Sequence, residues 1–564
     1  MQQWKIIEND TNINLMIETL KIDYITAKLL SNRNIRTKNN AIEFLSSNKK
    51  FLNNYSCLKD VYKAIEIIED YIKKNKKIMV FGDYDVDGVM SCVILCKTLL
   101  DMNANVDFYI PLRETDGFGL NKNIVKKIYD EKIDLIICCD NGMAAIEEIG
   151  YAKKLGIKVI IIDHHESSLD NNDKEILPGA DAIINPKQES CDYYFKFLCA
   201  ASICYKFSNE FYLKRNLKIP EDFIIFASIA TLCDVVLLLK ENRTITKIGI
   251  NKINSRKLKN PGLLSLIKEN KISEENLNAR DISFVIGPCI NACGRLDSAC
   301  SAVKLLLTDD VDEAKKLSKY IFNLNSKRKK ITNDIYSKFL LEFDKTNNDI
   351  KNILIIYDSN TPESISGIVA GRLKEKFNRP VIFLTNTLNE NIIKASCRSV
   401  ENYNIFNELS NYKDLFLKFG GHAMAAGFSI YKKDLDYLRS NLEKNYIFNN
   451  KDFINEIKID IEIKNIDEIN FELYKKIKRL EPFGNGNPEP LFILKSAHIN
   501  KINFFKNNFT VLEIILKNKK IKGICFENRE TLDRISKNRK ADIAFSLELY
   551  QKNIQIRVKN VFYH

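Results

Sequence analysis

The chain has 564 residues, of which 45% are hydrophobic and 28% are charged. This length excludes a single hydrophobic core and predicts three or four domains, and the composition is that of an ordinary soluble globular protein. Lysine and arginine number 86 against 73 aspartates and glutamates, and the net charge of +13 suits a polyanionic partner without identifying one.

The first segment, residues 1–75, is polar and is expected to be helical. It lacks the apolar run of a signal peptide, and the 14 cysteines of the chain include no C-x-x-C pair. Several cysteines lie inside apolar runs, as Cys138 and Cys139 do. We therefore expect reduced, buried thiols in a cytoplasmic protein without a membrane anchor.

From residue 76 onward, short apolar runs alternate with helical patterns such as 121–131 and 144–155. A repeat of about 25 residues is typical of the βα units of a doubly wound parallel sheet. The predicted strands are 78–81, 106–110, 135–139, 158–162 and 181–184.

Polar side chains follow three of these strands. Asp83 and Asp85 alternate along the turn after strand 78–81, so an extended backbone would point both the same way, and two such carboxylates repel unless a cation lies between them. Asp87 is more simply interpreted as the N-cap of the next helix. Parallel strands end at one edge of a sheet, so we expect the strand-end residues to converge there. Those that follow strands 135–139 and 158–162 are Asp140, Asp163, His164 and His165.

This set of side chains predicts a metal site. Carboxylates with one or two imidazoles and no thiolate suit Mn²⁺ or Mg²⁺. With four or more acids, two ions could lie about 3.5–4 Å apart, the arrangement used for phosphoryl hydrolysis. A further ligand is Asp234, near the end of the apolar segment 223–239. That segment is slightly short for a membrane span and is predicted to be a core helix, in which a carboxylate needs a cation or a proton.

These motifs resemble those of the DHH phosphoesterase superfamily, and later motifs are similar to those of its RecJ branch. The resemblance extends from about residue 40 to the C-terminus, in the order of the family. The first motifs are 82–88, Asp140-Asn141-Gly142 and Asp163-His164-His165, and the later ones are Asp234-Val235-Val236, Glu241-Asn242-Arg243, 287–296, 366–373, 396–399, Gly420-Gly421-His422 and Ala425-Ala426-Gly427.

The resemblance implies a 5′→3′ exonuclease that acts on single-stranded DNA in repair and recombination and requires two Mn²⁺ or Mg²⁺ ions. It implies that His165 contacts the scissile phosphate or assists proton transfer, and that Asp163 orients the histidines. The implied metal ligands are Asp83, Asp85, Asp140, His164 and Asp234, with Asp140 bridging both ions.

Some positions depart from the family pattern. Phe81 and Pro362 stand where the family often has histidine, and Cys289 stands where it often has arginine. Near Leu198, the family's glycine is replaced in Cys199-Ala200-Ala201. None of these changes removes a predicted metal ligand, but they concern phosphate contacts and therefore rate and end preference.

The second half begins with a charged stretch, 312–345, that is free of proline and glycine and is predicted to be a helix joining two globular parts. Residues 351–445 restart an α/β pattern, which fits the smaller accessory domain of the family. Its motifs predict substrate binding by Ser396, Arg398, Gly421 and His422. Arg113 and Arg295 are placed to meet phosphate, but a solvated surface position for Arg113 and an internal salt bridge for Arg295 remain open.

The C-terminal part predicts five short antiparallel strands of an OB-like barrel. Phe504, Phe505 and Phe509 lie among lysines, an arrangement that holds single strands by base stacking, although some of these rings could be core. The predicted strands are 491–502, 508–516, 519–526, 541–549 and 553–562.

Together these patterns and the resemblance to the family imply an α/β protein with five parts. They are an N-terminal helical segment (1–75), a doubly wound DHH catalytic domain (76–305), a connecting helix (306–347), a smaller α/β DHHA1 domain (348–450) and an OB-like nucleic-acid-binding domain (451–564).

We expect a monomeric exonuclease whose partners are single-stranded DNA, a helicase and a single-strand-binding protein. Two other functions remain: hydrolysis of small phosphates, and DNA binding by a scaffold whose nuclease site has decayed. The C-terminal barrel disfavours the first because a small substrate needs no extended binding track. The intact set of candidate ligands disfavours the second.

Overall fold

The N-terminal segment divides between two parts of the molecule. The computed structural model describes residues 2–9, 12–52, 57–170, 172–345, 351–445, 455–505, 509–526, 540–550 and 553–563. The segment contains β1 (Gln2–Ile6), α1 (Ile13–Leu20), α2 (Tyr24–Ser31), α3 (Lys38–Leu45) and α4 (Val61–Lys73). Helices α1–α3 pack with the C-terminal barrel and α4 with the parallel sheet. The prediction of a purely helical segment is wrong for β1, which pairs with residues 455–459, a partner that local periodicity cannot reveal.

The first domain is built on a five-stranded, all-parallel sheet, which confirms the doubly wound fold. Its strand order is β3-β2-β4-β5-β8. The order in which strands are added to the sheet therefore reverses between β2 and β4, and open α/β sheets bind ligands at such a switch point. The elements are β2 (Lys77–Phe81), α5 (Val86–Asp101), β3 (Asn105–Tyr109), α6 (Lys122–Asp130), β4 (Leu135–Cys139), α7 (Ile146–Lys154), β5 (Lys158–Ile162), β6 (Ser168–Leu169), β7 (Glu175–Ile176) and β8 (Ala182–Ile184).

Apart from β3, the strands are largely apolar because both faces of the sheet are covered, whereas the edge strand β3 includes Asn105 and Asp107 and is partly exposed. In β2, Ile78 and Val80 pack in the core with α5, whereas Met79 and Phe81 pack with α6 and α7. Further helices enlarge the first of these cores. They are α8 (Ala200–Lys214), α9 (Glu221–Cys233), α10 (Lys240–Asn254), α11 (Pro261–Glu269), α12 (Ala279–Asp281), α13 (Gly287–Leu296) and α14 (Cys300–Leu307), with a π-helical turn at Ile282–Ile286.

The predicted core helix is observed as α9 (Glu221–Cys233), but it ends directly before Asp234, so the prediction is wrong for residues 234–239. Its residues from Phe223 to Leu232 are buried. Within the ranges described above, no helix is both long and apolar enough to cross a membrane.

The long helix α15 (Val311–Lys345) connects the two α/β domains. It packs against α11 and α13, and near its other end the ring of Phe339 meets that of Phe383 at a centroid distance of 5.4 Å. The second sheet has the order β12-β13-β11-β10-β9, and only its β9–β10 pair is parallel. The elements are β9 (Leu354–Tyr357), α16 (Glu363–Phe377), β10 (Val381–Asn386), β11 (Ile392–Arg398), α17 (Ile405–Ser410), β12 (Phe416–His422), β13 (Ala425–Tyr431) and α18 (Leu435–Asn445).

The C-terminal part forms a closed five-stranded barrel, as predicted. Its order is β16-β17-β18-β20-β19, with β19 pairing back to β16. The prediction of five antiparallel strands is wrong for β18 and β20, which are parallel; they are neighbours in the barrel but are separated in the chain by β19. The elements are β14 (Asn455–Ile459), β15 (Ile461–Glu462), α19 (Phe471–Lys478), β16 (Phe492–Phe505), β17 (Phe509–Leu516), β18 (Lys519–Cys525), β19 (Lys540–Tyr550) and β20 (Asn553–Tyr563). The predicted boundaries at 347–348 and 450–451 fall outside the described residues.

Candidate active site

Three carboxylates follow β2: Asp83 and Asp85 lie in the turn to α5, and Asp87 lies in the first turn of that helix. Asp85 is the N-cap of α5, and its Oδ1 accepts a hydrogen bond from the Gly88 amide at 3.0 Å. A Cβ on Gly88 would lie only 2.5 Å from backbone atoms of Asp83, so a glycine is needed where the turn folds back on the helix. The prediction that Asp87 is the N-cap is therefore wrong, because the helix begins at Val86.

Asp87 instead caps a different helix. Its side chain is buried, and its two carboxylate oxygens accept hydrogen bonds from the amides of Ala200 and Ala201, both at 2.8 Å. These amides open α8, whose partial positive charge favours an anion at this point. Oδ2 of Asp87 also lies 3.7 Å from Nε2 of His164. Asp87 thus belongs to the site, although the sequence interpretation left it out.

The other candidate ligands meet these three at the edge of the sheet. Nε2 of His164 lies 3.2 Å from Oδ1 of Asp140 and 3.8 Å from Oδ2 of Asp234. Three groups result, in each of which the potential ligand atoms lie within 4.8 Å of one another. The first is Asp83, Asp85 and Asp140, the second is Asp87, His164 and Asp234, and the third is Asp140, Asp163, His164 and His165. Asp140 lies between the first two groups, since it groups with His164 in the third.

The electrostatics of the cluster favour a bound cation. Burial and then the charge of Asp85 raise the pKa of Asp83 to about 7. Burial and then the charge of Asp87 raise the pKa of Asp234 to about 8. The same two causes raise the pKa of Asp140 well above its usual range. Oδ1 of Asp83 is buried and has no hydrogen-bond partner among the described residues. Carboxylate oxygens that lack donors and repel one another are the donor set for a hard divalent cation.

His164 supplies a neutral nitrogen to this donor set. Burial and then the neighbouring His165 lower the pKa of His164 to about 3, so its ring is uncharged at neutral pH. A neutral imidazole is the form that binds a metal. Carboxylates, one imidazole and no thiolate fit Mn²⁺ or Mg²⁺, so the residues present suit the cations expected from the sequence.

His165 differs from its neighbour because it is paired with Asp163. The Nδ1 of His165 lies 2.7 Å from Oδ1 of the fully buried Asp163, which also accepts hydrogen bonds from the amides of His164, His165 and Met143. Burial alone would lower the pKa of His165, but the hydrogen bond and charge of Asp163 raise it to about 9. The His165 side chain is 47% exposed, so a protonated Nε2 is available to an anion.

Three arginines come together beside this cluster, across the boundary between the two α/β domains. The guanidinium of Arg113 lies 5.3 Å from the ring centroid of Tyr84, and its buried Nε has no acceptor. Burial and then the charge of Arg113 lower the pKa of Arg295 to about 10, and burial with Arg113 also lowers that of Arg398. In the part of the chain that the structure describes, none of the three forms an ion pair. Uncompensated positive charges in partly buried positions form a site for an anion.

The accessory sheet supplies the remaining predicted substrate-binding residues. Strand register places Arg398 opposite Ala425, and Ala425 opposite His422. Ser396, two residues before Arg398, bonds the Ser366 hydroxyl at 2.9 Å. Gly421 has a φ of +145°, which favours glycine, and it lies in the exposed strand end with His422. The arginine cluster therefore continues into an open strand edge.

Comparison with known proteins gives the same division of the chain. Family models match residues 77–232 (DHH family, N-terminal domain), 351–446 (DHHA1 domain) and 459–560 (RecJ OB domain). The single-stranded-DNA-specific exonuclease RecJ of Escherichia coli is 31% identical over 392 residues, which are 66% of this chain and 67% of that protein. The chain belongs to the RecJ family.

Other members of the RecJ family agree with this assignment. RecJ of Bacillus subtilis is 32% identical over 519 residues, 92% of this chain, but the chain spans only 64% of the length of that relative. The structure of Thermus thermophilus RecJ in complex with Mn²⁺ matches with a TM-score of 0.83 at 22% identity and covers 100% of this chain and 80% of that one. An exonuclease RecJ bound to manganese matches with a TM-score of 0.59 at 28% identity, covering 68% and 94%.

Three of the positions that depart from the RecJ family pattern have structural roles. Phe81 is buried and stacks on Tyr109 with a centroid distance of 5.8 Å. Pro362 precedes α16 as its N-cap. Cys199 precedes α8, whose first two amides bind Asp87. The substitutions at 199–201 thus leave that contact in place.

One exposed aromatic residue at the site was not identified from the sequence. Phe118 is 62% exposed, and its ring meets those of Tyr84 and His165 edge-on, each at a centroid distance of 6.4 Å. It lies between Gly117 and Gly119, both with positive φ. The Gly-Phe-Gly triplet could have indicated Phe118 from the sequence, because an aromatic residue between two glycines lies in a loop, and loops carry binding residues more often than core residues.

Proposed function

We propose that the chain is an exonuclease that hydrolyses single-stranded DNA from its 5′ end and depends on Mn²⁺ or Mg²⁺. One observation carries the proposal: mutually repelling carboxylates and a neutral histidine lie beside three arginines that form no ion pair with any of the described residues. The first set suits cations, and the second suits a phosphate. Its RecJ relatives are named as single-stranded-DNA-specific exonucleases, which supports the same substrate.

Two cations are proposed, one for each ligand group. Asp83 and Asp85 would hold the first, Asp87, His164 and Asp234 the second, and Asp140 would bridge them. When bound, such a pair neutralises the phosphate and makes a coordinated water more acidic. Asp87 is added to the ligands expected from the sequence because its Oδ2 faces His164.

His165 and Asp163 are proposed to act on the scissile phosphate. Asp163 occupies Nδ1 of His165 and fixes the orientation of its ring. Because the pKa of His165 is about 9, Nε2 carries a proton at neutral pH and can donate to a phosphate oxygen. This donation stabilises charge that develops in the transition state.

The polarity of cleavage is proposed to come from the arginine cluster. Arg113, Arg295 and Arg398 would bind the 5′-terminal phosphate, and Ser396, Gly421 and His422 would border it. Phe118 and Tyr84 lie between this cluster and His165, where the terminal nucleotide would lie. An anion site at one end of the metal cluster would bind a DNA strand by its 5′-terminal phosphate and so place the bond next to that end at the metal site.

The barrel is proposed to hold the rest of the strand. Phe504 and Phe505 are 49% and 50% exposed, and Phe505 stacks on Phe509 at a centroid distance of 4.9 Å. Exposed rings on a basic barrel bind bases without reading sequence. This surface favours DNA over a small phosphate as substrate. We further propose a cytoplasmic monomer that functions in repair and recombination, on strands opened by a helicase and shared with a single-strand-binding protein.

The test is digestion of a single-stranded oligonucleotide that is labelled at its 5′ or its 3′ end, with and without Mn²⁺. Immediate release of the 5′ label as a mononucleotide, only with metal and not from duplex, is the expected result. Early release of the 3′ label would refute the polarity. Inert long strands with hydrolysed dinucleotides would move the activity to small phosphodiesters.

A further inference from the structure

The turn that leads into the C-terminal barrel reaches back to the active site. Gly484 and Asn487 exchange two backbone hydrogen bonds, at 2.9 and 3.0 Å, so Asn485 and Gly486 form the tip of a tight turn. We call residues 484–487 the Asn485 turn. It lies against residues 235–239, the segment that directly follows Asp234.

The turn is fixed to the first domain at its base. The buried side chain of Asn487 donates hydrogen bonds to the carbonyls of Leu480 and Pro482, at 2.9 and 2.7 Å. Arg243 of α10 is also buried and donates to the carbonyls of Glu481 and Pro482, at 2.8 and 3.0 Å. The base of the turn therefore holds the tip in place independently of the contacts that the tip makes with residues 235–239.

Two hydrogen bonds join the tip to the segment after Asp234. The Asn485 side-chain amide donates to the Val235 carbonyl at 2.9 Å, and the Leu238 amide donates to the Asn485 carbonyl at 2.7 Å. Gly486 has a φ of +78°, and a Cβ there would lie 3.3 Å from the side chains of Leu237 and Leu239. The contact is close enough to constrain the backbone of this segment.

Val235 is in a conformation that needs such a constraint. Its φ is +58°, in the left-handed region that β-branched residues rarely adopt. It follows the C-cap of α9, a position where glycine is the usual residue. The Val235 side chain is 62% exposed, so its own packing does not hold it there.

The direction of the Asp234 carboxylate depends on this backbone. Among the residues that the structure describes, no donor forms a hydrogen bond with that carboxylate, and its Oδ2 lies 3.8 Å from His164 Nε2. Without side-chain partners, its position follows from the α9 C-terminus and from the turn at Val235. A change in the backbone conformation of Val235 would therefore move the Asp234 carboxylate.

We propose that Asn485 is a positioning residue for Asp234. By holding Val235 in the left-handed conformation, it directs the Asp234 carboxylate toward His164 and Asp87. The inference rests on the proposed function, in which Asp234 is a metal ligand. It makes the linker of the C-terminal barrel a part of the metal site.

The experiment compares full-length variants by titration with Mn²⁺ alone, the free ion being followed by electron paramagnetic resonance. Asn485→Ala removes the amide donor and should weaken Mn²⁺ binding about tenfold, as loss of an outer-shell partner typically does. Asn276→Ala, which removes an exposed asparagine of the first domain, should leave binding unchanged. The double variant Asn485→Ala/Val235→Gly should bind within about twofold of wild type, because glycine adopts the left-handed conformation without strain.

Several results would overturn the proposal. One is Mn²⁺ binding by Asn485→Ala that matches wild type, and another is a double variant that binds as weakly as Asn485→Ala. If Asn485→Ala does not fold, the double variant carries the test and must both fold and bind like wild type. Asp234→Asn separates the two claims: unchanged binding would refute Asp234 as a ligand, and with it this inference. If Asp234→Asn weakens binding but Asn485→Ala does not, only the positioning role fails.

Discussion

Replacing Asp83 with asparagine should remove a pH-dependent destabilisation from the metal-free protein. Asp83 is 3% exposed, and its Oδ1 lacks a hydrogen-bond partner among the described residues. Burial and then the charge of Asp85 raise the pKa of Asp83 from 3.8 to about 7. Its protonated form is therefore favoured in the folded state. Folding stability from this group is fully present below pH 3.8 and is lost as the pH rises through about 7.

The size of this effect follows from the rise in pKa. A rise of about 3 pH units in the pKa of one group corresponds to about 4 kcal/mol, of which about 2–3 kcal/mol fall between pH 5 and 8. Asparagine does not titrate. As the pH rises from 5 to 8, the free energy of unfolding of Asp83→Asn should therefore increase by that amount relative to that of wild type. Any constant cost of the substitution cancels in this comparison.

The assay is urea unfolding of the full chain in chelator at pH 5, 6, 7 and 8. Asp192→Asn, at an exposed aspartate, is the matched control and should follow wild type at every pH. The reasoning is refuted if the difference between Asp83→Asn and wild type does not change with pH. A change in the opposite direction would show that Asp83 has a stabilising partner in the folded state.

Three further predictions concern other residues. Asp87→Asn should lower the Mn²⁺-dependent cleavage rate at least about 100-fold, because one anionic ligand is lost; a rate within threefold of wild type, measured on a single-stranded oligonucleotide, would make Asp87 only a helix cap. Phe118→Ala should raise KM several-fold with little change in kcat while Phe118→Tyr stays near wild type, and an unchanged KM would exclude a stacking role. Lys206→Met should lower the free energy of unfolding by about 3–5 kcal/mol, because it removes the cation that is paired with the buried Glu241. Adding Glu241→Gln should recover most of that loss in urea titrations, and no recovery would contradict the ion-pair explanation.

The sheet edge could be predicted because its signals are local. Strands buried on both faces are continuous apolar runs, and parallel strands bring their carboxyl ends together. Asp83, Asp140 and His164 were thus expected to meet, and they do. Asp234 was expected from a single carboxylate at the end of an apolar helix. The long helix and the barrel followed in the same way from uninterrupted helical or alternating patterns.

The features that were missed depend on contacts that are distant in sequence. Asp87 has the spacing of a helix N-cap, and only the approach of α8 shows that its carboxylate binds Ala200 and Ala201. The strand β1 pairs with residues 455–459, and β18 pairs with β20, which is not the next strand in the chain. The Asn485 turn likewise contacts Val235 from 250 positions away. Local periodicity contains no information on such partners.

The central claim is that the strand-end cluster hydrolyses single-stranded DNA with bound metal, and Asp140→Ala tests it most directly. Cleavage of a 5′-labelled single-stranded oligonucleotide in Mn²⁺ and binding of the same strand in chelator are measured side by side. We predict that cleavage disappears while DNA binding stays within about threefold of wild type, because the barrel and the arginine cluster are untouched. Undiminished cleavage by Asp140→Ala would contradict the account.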